Sequence, residues 1–281
     1  MRARTLVPPA VAVALLLSGC GGSGGTTSTA AQAAPTTVST AMESPTESAS
    51  GSATESMTGS PSESVKGPME PSGSGATSGG SAADEATARK LVLAQADIPT
   101  GWVAKPASPQ SPEGQALEDE IDACVGVQPY SQIRAGYVAG STFSRANDEI
   151  STDVAVLKDS KVVQRYFNGL VAAKNFPCIK KVFDKGLQAA FAASDPTAKV
   201  STTVSVPRGI TSGPNQMALR LTSVVTTQGQ KKTLYSDLLG LHAGRFQVEI
   251  SLTYPGTPPT ASLDRSLLVA AAAHAAHTST V

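Results

Sequence analysis

From residue 84 onward the chain switches between two hydrophobic periods, and their order predicts its architecture. Ala83 to Val92 combines helix formers with acid early (Asp84, Glu85) and base late (Arg89, Lys90), the arrangement that a helix dipole favours. Asp97-Ile98-Pro99-Thr100-Gly101 then breaks the helix, and Trp102 follows as an anchoring aromatic, best read as a core plug. Residues 108–114 read as a loop and residues 115–124 as a short helix. Ser141-Thr142-Phe143 and Ile150 to Leu157 alternate with period two and are rich in β-branched residues, which predicts an antiparallel pair of strands. Behind Asp159 or Ser160 as a cap, Val162, Val163, Tyr166, Phe167, Leu170 and Val171 share one helical face, and a second helix runs from Pro177 through Phe183, Leu187 and Phe191.

Four more strands follow in succession: Val200–Val206, Met217–Val225, Thr233–Leu241 and Arg245–Tyr254. Gly229-Gln230 and Ala243-Gly244 are the expected hairpin tips of a meander. Thr260 caps a last helix through Leu263, Leu267, Leu268 and the alanine run to about Ala276. Strands in sequence, with helices grouped before and after, predict an α+β domain: a twisted antiparallel β-sheet flanked by helices.

The first 83 residues carry neither period. Arg2 and Arg4 precede an apolar stretch from Thr5 to Leu17. At about 13 residues this is shorter than the ~20 of a permanent membrane span and has the form of an export signal. It ends in Leu17-Ser18-Gly19-Cys20, which resembles the lipobox of bacterial lipoproteins: an aliphatic residue, two small ones and the cysteine that receives the lipid. Residues 21–83 contain no aromatic, Ile or Leu and only Val38 and Val65 among the β-branched apolar residues, so they cannot bury enough surface to offset the entropy of ordering. The expected organisation is a lipoprotein signal peptide over 1–19, a lipidated Cys20 with a disordered Ser/Thr/Gly/Pro-rich linker over 20–83, and one domain over 84–281. The linker would span about 40–48 Å as a flexible coil, enough to hold the domain clear of a membrane.

Charge narrows the partners. The net charge is zero, with 22 basic and 22 acidic residues, and in residues 84–281 the two signs nearly balance. Nothing there has the basic stripe of a nucleic-acid interface. Cys124 and Cys178 remain once Cys20 is assigned to lipid, and in an oxidising compartment the expectation is that they pair. A catalytic thiol or a two-cysteine metal site is the alternative, though no CxxC and no nearby histidine accompanies either residue.

Leu91–Trp102, Ala123-Cys124-Val125-Gly126, Ser141-Thr142-Phe143, Phe176-Pro177-Cys178 and Gly244-Arg245-Phe246 together resemble segments of the PknH-like extracellular sensor domain family of actinobacteria. The resemblance runs over most of residues 88–276. It implies an antiparallel sheet with flanking helices around a cleft for an unidentified ligand, on the outer face of the cell membrane.

Candidate chemistry is sparse. His274 and His277 fall i, i+3 on the last predicted helix, and His242 is the only other histidine, so these three are the candidate metal ligands. There is no GxSxG, HExxH or phosphate-binding glycine loop in the domain. Glu118-Asp119-Glu120 and Asp122 form an acidic run that reads as a solvated helix face, because consecutive carboxylates point around a helix. Tyr235 and Asp237 share one side of a strand and are the candidate ligand contacts. The expected function is a non-enzymatic one, without a cofactor. It is a membrane-anchored lipoprotein whose sensor-like domain binds a small molecule, an envelope component or a partner protein. The alternative is an envelope hydrolase or metal-dependent enzyme.

Overall fold

The computed structural model describes residues 81–107, 110–211 and 213–278; the expected signal sequence, Cys20 and nearly all of the predicted linker lie outside them. Within that range a seven-stranded, wholly antiparallel sheet runs in the order β1-β2-β3-β7-β6-β5-β4. The strands are β1 (Val103–Lys105), β2 (Arg134–Arg145), β3 (Asp148–Leu157), β4 (Lys199–Ser205), β5 (Gln216–Thr227), β6 (Gln230–Ala243) and β7 (Phe246–Pro255). Among the described residues the helices are α1 (Ala82–Leu91), α2 (Pro112–Val125), α3 (Tyr130–Ile133), α4 (Ser160–Leu170), α5 (Phe176–Ala192) and α6 (Ala261–Thr278). The α+β class is therefore as the hydrophobic periods predict, and β4 to β7 form the expected meander. None of the described helices is long and apolar enough to cross a membrane.

Two departures from the sequence reading have local causes. Alternation marks only residues 141–143 of β2, yet the strand begins at Arg134. Its register shifts between Arg134 and Gly136 and again between Ala139 and Thr142, and each irregularity resets which side chains face inward, erasing the period. Helix α2 starts at Pro112, inside the predicted loop. Ser111 caps it by accepting the Gly114 amide at 3.1 Å, and Pro112 fills the first turn, where no N–H is needed. Gly126, at φ 75°, closes its other end in the left-handed conformation that a side chain would resist.

Both faces of the sheet are covered. On one face α1 and α6 pack on Phe143, Ile150, Val154, Leu239, Val248 and Ile250, with Trp102 (5 % exposed) filling the margin as the core plug expected of it. On the other face α2 to α5 bring Leu117, Ile121, Phe167 and Phe183 onto Ala155, Leu157, Leu219 and Leu238. Each such fully buried side chain contributes about 1.5–3 kcal/mol. Cys124 and Cys178 are joined in a disulfide with Cα atoms 5.6 Å apart, tying α2 to α5. A small further cluster, Leu187, Phe191, Val225 and Leu234, seals the far end of α5 on the outer strands.

Candidate functional site

On the α2–α5 side, the central strands are not apolar throughout. Val248, Ile250 and Leu252 of β7 belong to the opposite core, so Gln247 and Glu249 face α2 to α5. Asp153 of β3 has the parity of Ala155 and Leu157 and faces the same way. Asp153 and Glu249 are direct partners across the β3–β7 ladder. Like charges so placed have Cβ atoms about 5 Å apart and repel. Their outer neighbours in the same row are the small residues Ala139 on β2 and Gly240 on β6, and the Tyr137 hydroxyl of β2 reaches Asp153 from the next row.

Helix α2 supplies two more carboxylates from above. Glu118 and Asp122 stand at i, i+4, hence on one face, next to the buried Leu117 and Ile121. This corrects the reading of the acidic run as a solvated surface. Only its other half behaves so: Asp119 accepts hydrogen bonds from Ser131, and Glu120 pairs with Lys185 at 2.5 Å in the open. Tyr130 of α3, Tyr137 of β2 and Tyr166 of α4 complete the walls, with the Tyr130 and Tyr166 rings 6.5 Å apart. Arg134 is the cation that acts on this group. Its guanidinium carbon lies 5.4 Å from the Tyr130 ring centroid and 4.9 Å from that of Tyr137, and it donates to Gln110 Oε1 at 2.7 Å.

The electrostatics follow from one cation among four acids. Burial, with the nearby Glu249 charge, pushes Glu118 up to about 8; burial pushes Asp122 up to about 7. Asp153 is raised well above the ordinary carboxylate range by burial and by Glu249, and Glu249 is raised by burial while the Gln247 amide offsets part of that. All three tyrosines are held as neutral phenols by burial. Several polar atoms here have no hydrogen-bond partner: Glu118 Oε2, both carboxylate oxygens of Asp122 and Gln247 Oε1. Asp122 and Gln247 are each 1 % exposed. For Asp122 only the Tyr130 amide lies close enough to lower the cost of its charge, without forming a hydrogen bond of ordinary geometry. Asp153, Glu249, Glu118 and Arg134 keep partial solvent contact, so water reaches the group.

The residues singled out from sequence lie elsewhere. Tyr235 and Asp237 do share a face, but it is the α1–α6 face. Asp237 is fully buried there, held by Arg220 through Nε at 2.7 Å and a second bond from Nη2, so both its oxygens are engaged inside the fold. Asp264 of α6 sits on the same arginine at 3.4 Å and is pushed up to about 8 by burial and the Asp237 charge. The three histidines do not converge. His242 faces α4, with Nε2 2.7 Å from Gln164 Oε1 and its ring edge-on to Phe167. His274 stands on the opposite side of the sheet, against the Lys90 carbonyl at 2.9 Å and Asp97 at 3.3 Å. His274 and His277 line only a shallow depression of about 260 Å³ with Lys90 and Thr278. Among the described residues no group of three or more His, Cys, Asp or Glu is arranged to hold a metal ion.

No protein-family model matches the chain, and no curated protein matches it. Among solved structures, the extracellular domain of PknH from Mycobacterium tuberculosis superimposes with a TM-score of 0.37 at 8 % identity, covering 70 % of this chain and 97 % of that one.

Proposed function

We propose that this chain is a non-enzymatic extracytoplasmic binding protein, anchored to the membrane by lipid on Cys20, whose sensor-like domain takes a small polar ligand in the recess between α2 and the β2-β3-β7 floor. The observation that carries the reading is the Asp153–Glu249 pair with Glu118 and Asp122 above it. Four carboxylates beside unpartnered buried oxygens are costly to a fold and are of use to a ligand. The signal-like N-terminus and the Cys124–Cys178 disulfide both support an oxidising location. Native mass spectrometry of the exported, processed chain tests the binding reading. A co-purifying small molecule is expected, and it should be lost when Glu249 is replaced by Gln. A bare mass, together with no change in melting on addition of envelope extract, would remove it. For the anchor, Cys20→Ala should release the chain into the medium or leave it unprocessed.

A second reading has one observation in its favour. Two facing carboxylates that share a proton can act as an acid–base pair, as in an envelope hydrolase. Turnover abolished by Asp153→Asn would establish it.

A further inference from the structure

Resting on the reading of the recess as a ligand site, we propose that its ligand is an organic cation, an amine or guanidine on a small molecule, and that Arg134 is a built-in stand-in occupying part of its seat. The argument starts from what the recess lacks. Its unpartnered buried atoms are four acceptors, Glu118 Oε2, Asp122 Oδ1 and Oδ2 and Gln247 Oε1, against one donor, Gln110 Nε2. The matching group must therefore bring donors. A cation suits the acids as they ionise: Arg134 is the cation that acts on Glu118 and Asp153, and no cation is among the groups that act on Asp122 or Glu249.

Two features favour an organic cation over a bare metal ion. The carboxylates are spread along the recess, from α2 above to the β3–β7 pair below, and no three of them are arranged around one point. A hard divalent cation needs six or so oxygens at about 2.0–2.6 Å, which this arrangement does not offer. The walls are also aromatic. A guanidinium already rests on the faces of Tyr130 and Tyr137 at 5.4 and 4.9 Å from their centroids, within the ~6 Å at which ring and cation attract. The fold thus displays the chemistry of its own ligand.

The stand-in is placed to yield. Arg134 is the first residue of β2, next to a register irregularity, and it is partly exposed. It makes a hydrogen bond to Gln110 but no close ion pair to any of the recess carboxylates. An incoming cation can displace it outward, taking over the tyrosine faces and satisfying the unpartnered acceptors.

The test uses the exported, processed full chain and agmatine, a small guanidine with a terminal amine, titrated calorimetrically at pH 8 and low salt. Saturable binding is expected. Arg134→Ala removes the competitor and should tighten binding about tenfold, the scale of a desolvated cation–π contact. Arg134→Gln, which keeps most of the stem, should act in the same direction and serves if the alanine variant folds poorly. Glu249→Gln should weaken agmatine at least tenfold without lowering the melting temperature. Magnesium chloride, glucose and glutarate are titrated in parallel. If glucose, glutarate or envelope extract shifts the melting while agmatine binds neither the parent nor the arginine variants, the recess stands as a binding site and the organic cation is overturned. Magnesium binding that is lost in Glu249→Gln and that excludes agmatine replaces the organic cation with a metal. If no probe or extract has any effect, both readings fall together.

Discussion

Arg220 and Arg134 each sit among carboxylates, on opposite faces of one sheet. Arg220 is saturated: two bonds to the fully buried Asp237, a contact to Asp264 and another to the Pro259 carbonyl fix α6 against β5 and β6. Because Asp264 is pushed up to about 8, the group holds a proton near neutrality and its charges nearly cancel. Arg134 is stacked instead of paired, and the acids around it outnumber it. The same residue types thus build a fastener on one side and an unsatisfied recess on the other. What separates them is geometry: bidentate closure in the first case, dispersed carboxylates with unused acceptors in the second.

That contrast can be broken most forcefully at Arg220. Arg220→Met leaves Asp237 buried without its cation and should cost about 3–5 kcal/mol in denaturant unfolding. Arg134→Ala should cost less than about 1 kcal/mol in the same assay, because a part-exposed stacked arginine contributes little. Similar losses at the two positions would erase the distinction. The disulfide comes next. Cys124→Ser with Cys178→Ser opens a loop spanning 54 residues and should cost about 4 kcal/mol on loop entropy, read as a lowered melting temperature.

A gentler probe is pH. Glu118, Asp122, Asp153 and Glu249 all have raised values in the folded state, so the fold holds protons that the unfolded chain has already released. Their contribution to stability is greatest below the ordinary carboxylate value of about 4, and falls as pH rises toward about 8. Asp264 acts in the same direction from the other face. His242, lowered by burial, acts oppositely and favours the fold above its unfolded value of about 6.5. Melting temperatures scanned from pH 4.5 to 8.5 should therefore decline overall. Glu118→Gln with Glu249→Gln should flatten the slope and gain about 1 kcal/mol at pH 8. A steeper decline in the double variant would contradict the electrostatic account. The smallest effect is expected at His274, where alanine removes only a partly buried contact to Asp97 and the Lys90 carbonyl, below about 1 kcal/mol.

Much of this architecture was legible in the chain. Strands β4 to β7 and helices α4 to α6 announce themselves by period, and Cys124 pairs with Cys178 as an expected export would have it. The recess was not legible, and the reason is specific. Glu249 and Gln247 alternate with Val248 and Ile250, the pattern of a strand with one wet face, and nothing local reveals that helices cover that face. Glu118 and Asp122 were hidden by Asp119 and Glu120 between them. Their i, i+4 spacing beside Leu117 and Ile121 was the available signal, and it identifies an inward acidic stripe only once the run is read by helical face. Tyr235 and Asp237 drew notice for a real reason, since Asp237 is buried on an inward position, but its partner Arg220 is on a neighbouring strand that sequence distance conceals.

Cys124 lies two residues beyond Asp122, on the same helix that roofs the recess, and its bond to α5 does more than add stability. The helix bearing Glu118 and Asp122 is held over the sheet by packing and by the Glu120–Lys185 and Asp119–Ser131 contacts, and the bond to α5 adds a covalent tie. The tie restrains the height of the roof over the β3–β7 acids. For a chain exported as proposed, this tie would close only beyond the reducing cytoplasm, so the rigidity of the roof would be timed by compartment.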